Sequence, residues 1–311
     1  MKRRFGWPAT FAGALVVALP FLICAPEAFA AKKAKAPQPE DSSDVPEVPG
    51  DDIFGFTSAT DVGNPGDLGF GNENDGRFGK RDGRYFALNT KYELGYTFAK
   101  DWWIAGSLFG AYNYSSGVTG INDISRADFD GVSFELAHRI VTRSASNPFA
   151  ITLSVEPRWG RIDGGTGLRA DAYSAEFKMF IDAVVVKDML FWAANVTYAP
   201  QRSQDPMNRS TWLDSSSTLV STALTYQISP NLFFGGEVRL LSAFDTLSPD
   251  HNIGNALYAG PTFLWKITEQ VVFNTTYQPQ VWGHSISTPG ALDLDNFERA
   301  QFRAKLAVAF Q

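Results

Sequence analysis

Three histidines and a single cysteine are the scarcest reactive side chains of this 311-residue chain, and they bound the covalent chemistry open to it. A hydroxyl nucleophile needs a base within hydrogen-bond reach and a third group that orients the base. His284-Ser285-Ile286-Ser287 and His251-Asn252 come nearest to that pattern, and neither sets all three parts on one strand face. His138 stands alone among apolar neighbours, where a structural histidine is the ordinary expectation. Gly71-Asn72-Glu73-Asn74-Asp75-Gly76 alternates oxygen ligands like a calcium loop but lacks the distant bidentate glutamate, so a solvated loop is expected. Cys24, alone, excludes internal disulfides and cysteine metal clusters. No catalytic residue, no metal and no cofactor is therefore expected.

The charged residues follow a different logic. Lys91 and Glu93, Glu156 and Arg158, Glu176 and Lys178, and Glu237 and Arg239 are each two residues apart, which places each pair on one face of a strand. Glu135, Arg139, Asp182, Arg299, Arg303 and Lys305 occupy similar positions. Around them the apolar residues alternate. Over 297–310, Ala300, Phe302, Ala304, Leu306, Val308 and Phe310 share one face, and Arg299, Gln301, Arg303 and Lys305 share the other. Twelve such segments are expected as strands: 53–60, 85–98, 102–114, 130–142, 148–161, 172–185, 190–201, 215–228, 232–244, 256–267, 270–283 and 297–310. Short turns at 99–101, 143–147, 186–189, 229–231 and 268–269 alternate with longer loops at 61–84, 115–129, 162–171, 202–214, 245–255 and 284–296, so all short turns fall at one end. Pro157 and Pro261 interrupt strands and predict bulges or pairing gaps, because proline donates no ladder hydrogen bond. Asn195-Val196-Thr197-Tyr198-Ala199-Pro200-Gln201 is echoed by Asn274-Thr275-Thr276-Tyr277-Gln278-Pro279-Gln280, and strand curvature is the expected role of both.

Composition agrees with a folded chain: 44% hydrophobic, 14% aromatic and 19% charged. The net charge of −6 argues against a nucleic-acid partner. Lys2, Arg3 and Arg4, an apolar run over 11–25 and Ala28-Phe29-Ala30 read as a signal peptide, residues 1–30, cleaved after Ala30. Ile23 before Cys24 argues against a lipid anchor. Residues 31–50, rich in Lys, Pro, Asp and Ser, are expected to be a disordered periplasmic leader, and 51–311 the folded domain.

An export signal, an even strand number, short turns at one end, long polar loops at the other and strands of about 10 residues describe an outer-membrane barrel. The sequence resembles the Gram-negative outer-membrane β-barrel class over residues 53–310, which implies an all-β, antiparallel up-and-down transmembrane barrel of about 12 strands. The end, Leu306-Ala307-Val308-Ala309-Phe310-Gln311, is similar to the terminal strand that the barrel assembly machinery recognises in that class, with Phe310 as the signal and Gln311 a one-residue departure. The segments DIFGFTSATDVG, SVEPRWGRID and NFERAQFRAKLAVAF also resemble an uncharacterised proteobacterial barrel family, which implies no activity. A soluble β-sandwich would alternate too, its apolar face turned inward. Strand length, and aromatics at strand ends (Phe98, Trp102, Trp103, Phe149, Trp159, Trp192, Tyr198, Trp212, Trp265 and Trp282), favour the membrane barrel.

In such a barrel the fourteen charged residues named above line the lumen. Arg299, Arg303 and Lys305 would form a basic stripe, with no obvious carboxylate on the first or eleventh segment to meet it. The expected function is a passive, porin-like conduit for small polar or anionic solutes. The alternatives are a closed barrel with a structural or surface-interaction role, its loops 61–84 and 284–296 binding the partner, and an outer-membrane lipid-modifying enzyme. Outer-membrane lipid and lipopolysaccharide are the expected surroundings. Asp61, Asp67, Asp82, Asp245, Asp250, Asp293 and Asp295 in the loops would share divalent cations with lipopolysaccharide phosphates.

Overall fold

The computed structural model describes residues 48–50, 53–144 and 147–310. The expected signal peptide, Cys24, the cleavage point at Ala30 and most of the leader lie outside the described residues. Twelve strands follow in order: β1 (Leu68–Phe78), β2 (Arg84–Ala99), β3 (Trp102–Ser116), β4 (Ile124–Val141), β5 (Phe149–Ile162), β6 (Arg169–Val186), β7 (Leu190–Asp205), β8 (Asn208–Ser229), β9 (Leu232–Phe244), β10 (Asn252–Lys266), β11 (Val271–Ser285) and β12 (Ala300–Phe310). Each pairs antiparallel with its chain neighbours, and β1 pairs with β12 to close the barrel. Closure leaves no unpaired edge, the condition for strands to cross lipid.

Period two decides which side chains face where. In β12, Gln301, Arg303 and Lys305 are buried inside, while Leu306 and Phe310 are exposed outside. Leu94, Leu108, Phe134 and Phe177 are 54%, 55%, 52% and 50% exposed on the outer face, part of an apolar band like the one that membrane barrels turn to lipid. Aromatic pairs mark both rims: Phe98 with Trp102 and Phe149 with Trp192 at the short-turn end, Phe129 with Trp159 and Tyr173 with Trp212 at the other. Trp103 is the exception to the expected aromatic belt, buried inside with Val62, Ala105 and Ala137.

Two expectations are corrected. The first strand is Leu68–Phe78, inside the expected loop 61–84, and residues 53–60 form no strand of the wall. The outward positions of β1 include Asn72, Asn74 and Gly76, so the apolar stripe that marks the other strands is missing there. Their polarity is met sideways, Asn74 donating to Asn72 at 2.8 Å and Thr90 to Asn74 at 2.9 Å, while Phe302 lies where a Gly76 side chain would be. The expected contrast between long and short connections also shrinks. Strands run into the expected loops, so that β7 and β8 meet at 206–207 and only 286–299 remains long.

The prolines sit where the ladder opens. The β4–β5 pairing skips from Ser133–Arg158 to Leu136–Val155, leaving Pro157 outside it, and the β10–β11 pairing skips from Tyr258–Gln280 to Thr262–Thr276 around Pro261 and Pro279. In β4 a bulge leaves Asp130 unpaired between Phe129 and Gly131 and turns it inward. Gly131 is required there: its φ is 149°, and a Cβ would lie 2.0 Å from the Trp159 carbonyl oxygen.

Candidate functional site

A barrel of twelve strands is wider than the eight whose side chains just fill the interior. Here the chain fills it with two inserts. Residues 53–62 rise from the short-turn end and descend again before β1 begins, without joining the ladder. Thr225 and Asn274 donate to the Ile53 and Phe54 carbonyls at 2.9 and 2.6 Å. At the tip, Glu237 accepts from the Phe56 amide at 2.8 Å and from the Thr57 hydroxyl at 2.6 Å. On the way down, Asp182 accepts from the Thr60 amide and hydroxyl at 2.8 and 2.9 Å, Thr152 donates to the Thr60 carbonyl at 2.6 Å, and Thr97 to that of Val62 at 2.5 Å. Asn195, its amide oriented by the network, pairs with both the amide and carbonyl of Ser58. Apolar residues of the insert, with Val48 from the expected leader, pack on Phe191, Phe233 and Leu264.

The second insert is the loop 286–299 at the opposite end. It buries Asp293, Phe297 and Glu298, with Phe297 among Leu219, Leu241, Ile253 and Tyr258 of the inner wall. Tyr258 and Gln280 donate to the Glu298 carbonyl at 2.6 and 3.1 Å, and Arg77 and Lys80 both reach the Glu298 carboxylate at 3.3 Å. The loop 163–168 also turns inward, the Gly164 carbonyl accepting from Arg77 and Tyr85 at 3.1 and 2.8 Å. Burial pushes the Asp163 and Asp293 carboxyls of these loops from 3.8 up to about 6, against hydrogen bonds from Thr166 and Asn296 that lower them.

Between the inserts lies an ion-pair network. Lys178 stands 3.2 Å from both Glu135 and Glu176 and closer still to Glu156. Lys91 is 2.5 Å from Glu93 and 3.8 Å from Glu156. Arg158 pairs with the bulged Asp130 at 2.6 Å and lies over the Phe109 ring. Near the tip of the first insert, Arg239 donates to Gln278 at 2.6 Å and to Gln301 at 2.8 Å. Arg303 meets Glu73 at 2.9 Å and Asp75 at 2.8 Å, and Lys305 is opposite Glu73 in the β1–β12 register.

These positions correct the expected basic stripe. Arg303 and Lys305 do face inward, but β1 supplies the carboxylates that seemed missing. Arg299 is exposed: it precedes β12, and Glu298 takes the inward place beside it. Arg139 is only half-buried, paired with Asp101 at 2.8 Å and Asp61 at 3.5 Å near the short-turn end. Lys91, Glu93, Glu135, Glu156, Arg158, Glu176, Lys178, Asp182, Glu237 and Arg239 are all buried in the interior. Glu73, Asp75 and Arg77 also recur with period two, a signal masked by the loop-like composition around them. Asp130 carried no signal, since a bulge reverses its face.

The residues considered for chemistry stay apart. Ser285 and Ser287 donate to Asp295 at 2.8 and 2.7 Å, not to a histidine. His251 pairs with Asp245 on the surface, and His138 stacks on Trp102 with centroids 3.9 Å apart. Among the described residues no group of three or more metal-ligating side chains is placed to hold an ion. The calcium-like series instead forms the middle of β1.

Among solved structures, the COG4313 outer membrane channel from Pseudomonas putida F1 is similar to this chain, with a TM-score of 0.57 and 10% identity over 88% of this chain and 100% of that one. Two others match with lower scores. The KdgM porin in complex with disordered oligogalacturonate has a TM-score of 0.42 and 11% identity, over 79% of this chain and 99% of that one. The Pseudomonas putida toluene transporter TodX has 0.37 and 10%, over 92% and 98%. At such identities the likeness concerns the fold. No curated protein matches the chain in sequence. A model of a family of unknown function, DUF6662, matches residues 46–310, taking in both inserts and all twelve strands, and the chain belongs to that family.

Proposed function

We propose that this protein is an outer-membrane conduit for small polar solutes, stopped in the state described by its own chain. The observation that carries this reading is the first insert. Residues 53–62 lie inside the lumen, and side-chain hydrogen bonds hold them without any ladder pairing. A stopper fastened this way can leave while the wall stays closed. The apolar outer band and rim aromatics support a place in the outer membrane, and the fold of the COG4313 channel agrees with a conduit. Export after cleavage at Ala30 would put both ends of the barrel chain in the periplasm. Lipid and lipopolysaccharide are then its surroundings, and Phe310, exposed at the end of β12, the mark read by the assembly machinery. Because Glu73 and Asp75 neutralise Arg303, and buried acids outnumber buried bases among the described residues, the reading favours uncharged or cationic over anionic solutes.

The test is single-channel conductance in planar bilayers, comparing the full chain with a variant lacking residues 53–62. The expected outcome is a mostly closed full chain and stable steps from the variant, with reversal potentials that show no anion preference. A second reading, a closed structural barrel, is favoured by the thorough pairing of the interior charges. Silence from both proteins, each running as a folded, heat-modifiable barrel, would establish it instead.

A further inference from the structure

We infer that the seat of Phe56 is a binding site for a neutral aromatic solute carrying an amide or similar hydrogen-bond donor beside its ring, and that the first insert occupies this site in the solute's place. The inference deepens the conduit reading and rests on it. The Phe56 centroid lies 3.5 Å from the guanidinium carbon of Arg239 and 4.6 Å from that of Arg303. Planar cations over a ring face are attracted by its quadrupole, most strongly where water is excluded. Neither arginine depends on the ring for its position. Gln278 and Gln301 hold Arg239, and Glu73 and Asp75 hold Arg303, so both remain in place when the ring departs.

The polar part of the seat is equally specific. Glu237 accepts from the Phe56 amide at 2.8 Å, which an amide N–H beside a solute's ring would reproduce. Nη1 of Arg239, on a fully buried side chain, has no hydrogen-bond partner, and a solute carbonyl would give it one. The charges nearby balance: Arg239, Arg303 and Lys305 against Glu237, Glu73 and Asp75. A neutral solute fits that balance, whereas a charged one would bring an unpaired charge into a buried site. The seat is also close-fitting, since a Cβ on Gly55 would lie 2.5 Å from a Glu237 carboxylate oxygen.

The test uses two probes of one shape, N-acetyl-L-phenylalanine amide and its cyclohexylalanine analogue, which lacks the π face. Binding to the full-length protein in detergent is measured by titration calorimetry. Phe56→Ala, which vacates the place of the ring between the two arginines, is expected to bind the phenyl probe about tenfold more tightly than the cyclohexyl probe. Adding Arg239→Met should erase the difference, and the wild type should bind the phenyl probe about tenfold more weakly than Phe56→Ala, because its own ring competes. Equal affinity for the two probes, or no binding by a Phe56→Ala barrel that is folded by heat modifiability, would overturn the inference. If Phe56→Ala does not fold, Gly55→Ala, whose added methyl drives the insert off Glu237, carries the same comparison. Conductance of the same samples separates the two claims. A conducting barrel without aromatic preference overturns the seat alone, and aromatic preference in a barrel that never conducts overturns the conduit alone.

Discussion

Lys178 shows how a single residue holds the interior together. It pairs with Glu135, Glu156 and Glu176, all buried, so Lys178→Met would leave three carboxylates with only Lys91 and Arg158 to offset them. The expected loss is about 3–5 kcal/mol, the usual result of breaking a buried ion pair from one side. It would be read as a lower urea midpoint for loss of the heat-modifiable form. Glu237 has a different task, accepting from Phe56, Thr57 and Gln278. Glu237→Ala strips the insert tip of its acceptor at about 1–3 kcal/mol for the unpaired amide and hydroxyl. Open probability in bilayers should rise, while the melting of the wall changes little. The cluster around Lys178 was legible in the sequence, because period two fixes a shared face. The partners of Arg303 and Arg158 were not: one lay in a strand that reads as a loop, the other on a bulge.

At the scale of elements, the loops 163–168 and 286–299 act as a cap whose strength depends on pH. Asp163 and Asp293 are raised by burial from 3.8 to about 6, so the folded-in loops bind protons more tightly than the released loops do. The sign follows. The contribution to stability is fully present below about pH 3.8 and is lost as pH rises through about 6. Hydrogen-exchange protection of 163–168 and 286–299, corrected for intrinsic rates, should be greater at pH 5 than at pH 7.5. No such trend is expected in the loop 245–251, where Asp250 is held below its usual range by hydrogen bonds from Thr246 and Ser248. The internal echo belongs to this scale as well. Asn195 and Asn274 both hold the backbone of the first insert, and Gln280 holds the second through the Asp293 and Glu298 carbonyls. Strand curvature alone did not foresee that role.

The whole molecule is an apolar cylinder around a polar, filled interior. Leu108 lies midway along β3 on the outer face, and Leu108→Arg should cost about 2–4 kcal/mol if the site is near the bilayer midplane. Refolding into lipid vesicles as a function of urea would measure this. The neighbouring Ser107 faces the interior, where its hydroxyl reaches Glu93 at 3.3 Å, so Ser107→Ala should lose only about 1 kcal/mol in the same titration.

Alternation along the chain was enough to identify a barrel and to place Lys91, Glu93, Glu135, Glu156, Arg158, Glu176, Lys178, Asp182, Glu237 and Arg239 on one face, because it is a local property with period two and a strand cannot move one residue to the other face without moving all of them. It also placed eleven of the twelve strands, from the expected 85–98 onward, to within a few residues at most ends. That Ile53, Phe54 and Phe56 fill the lumen instead of building the wall is fixed by long-range contacts. An apolar alternating segment satisfies either place, and the choice depends on partners such as Glu237, Asp182 and Asn274, which lie more than a hundred residues away. Closure settled the rest, bringing Glu73 and Asp75 against Arg303 across a seam joining the two ends of the chain, and so turning an expected basic stripe into an ion-paired one.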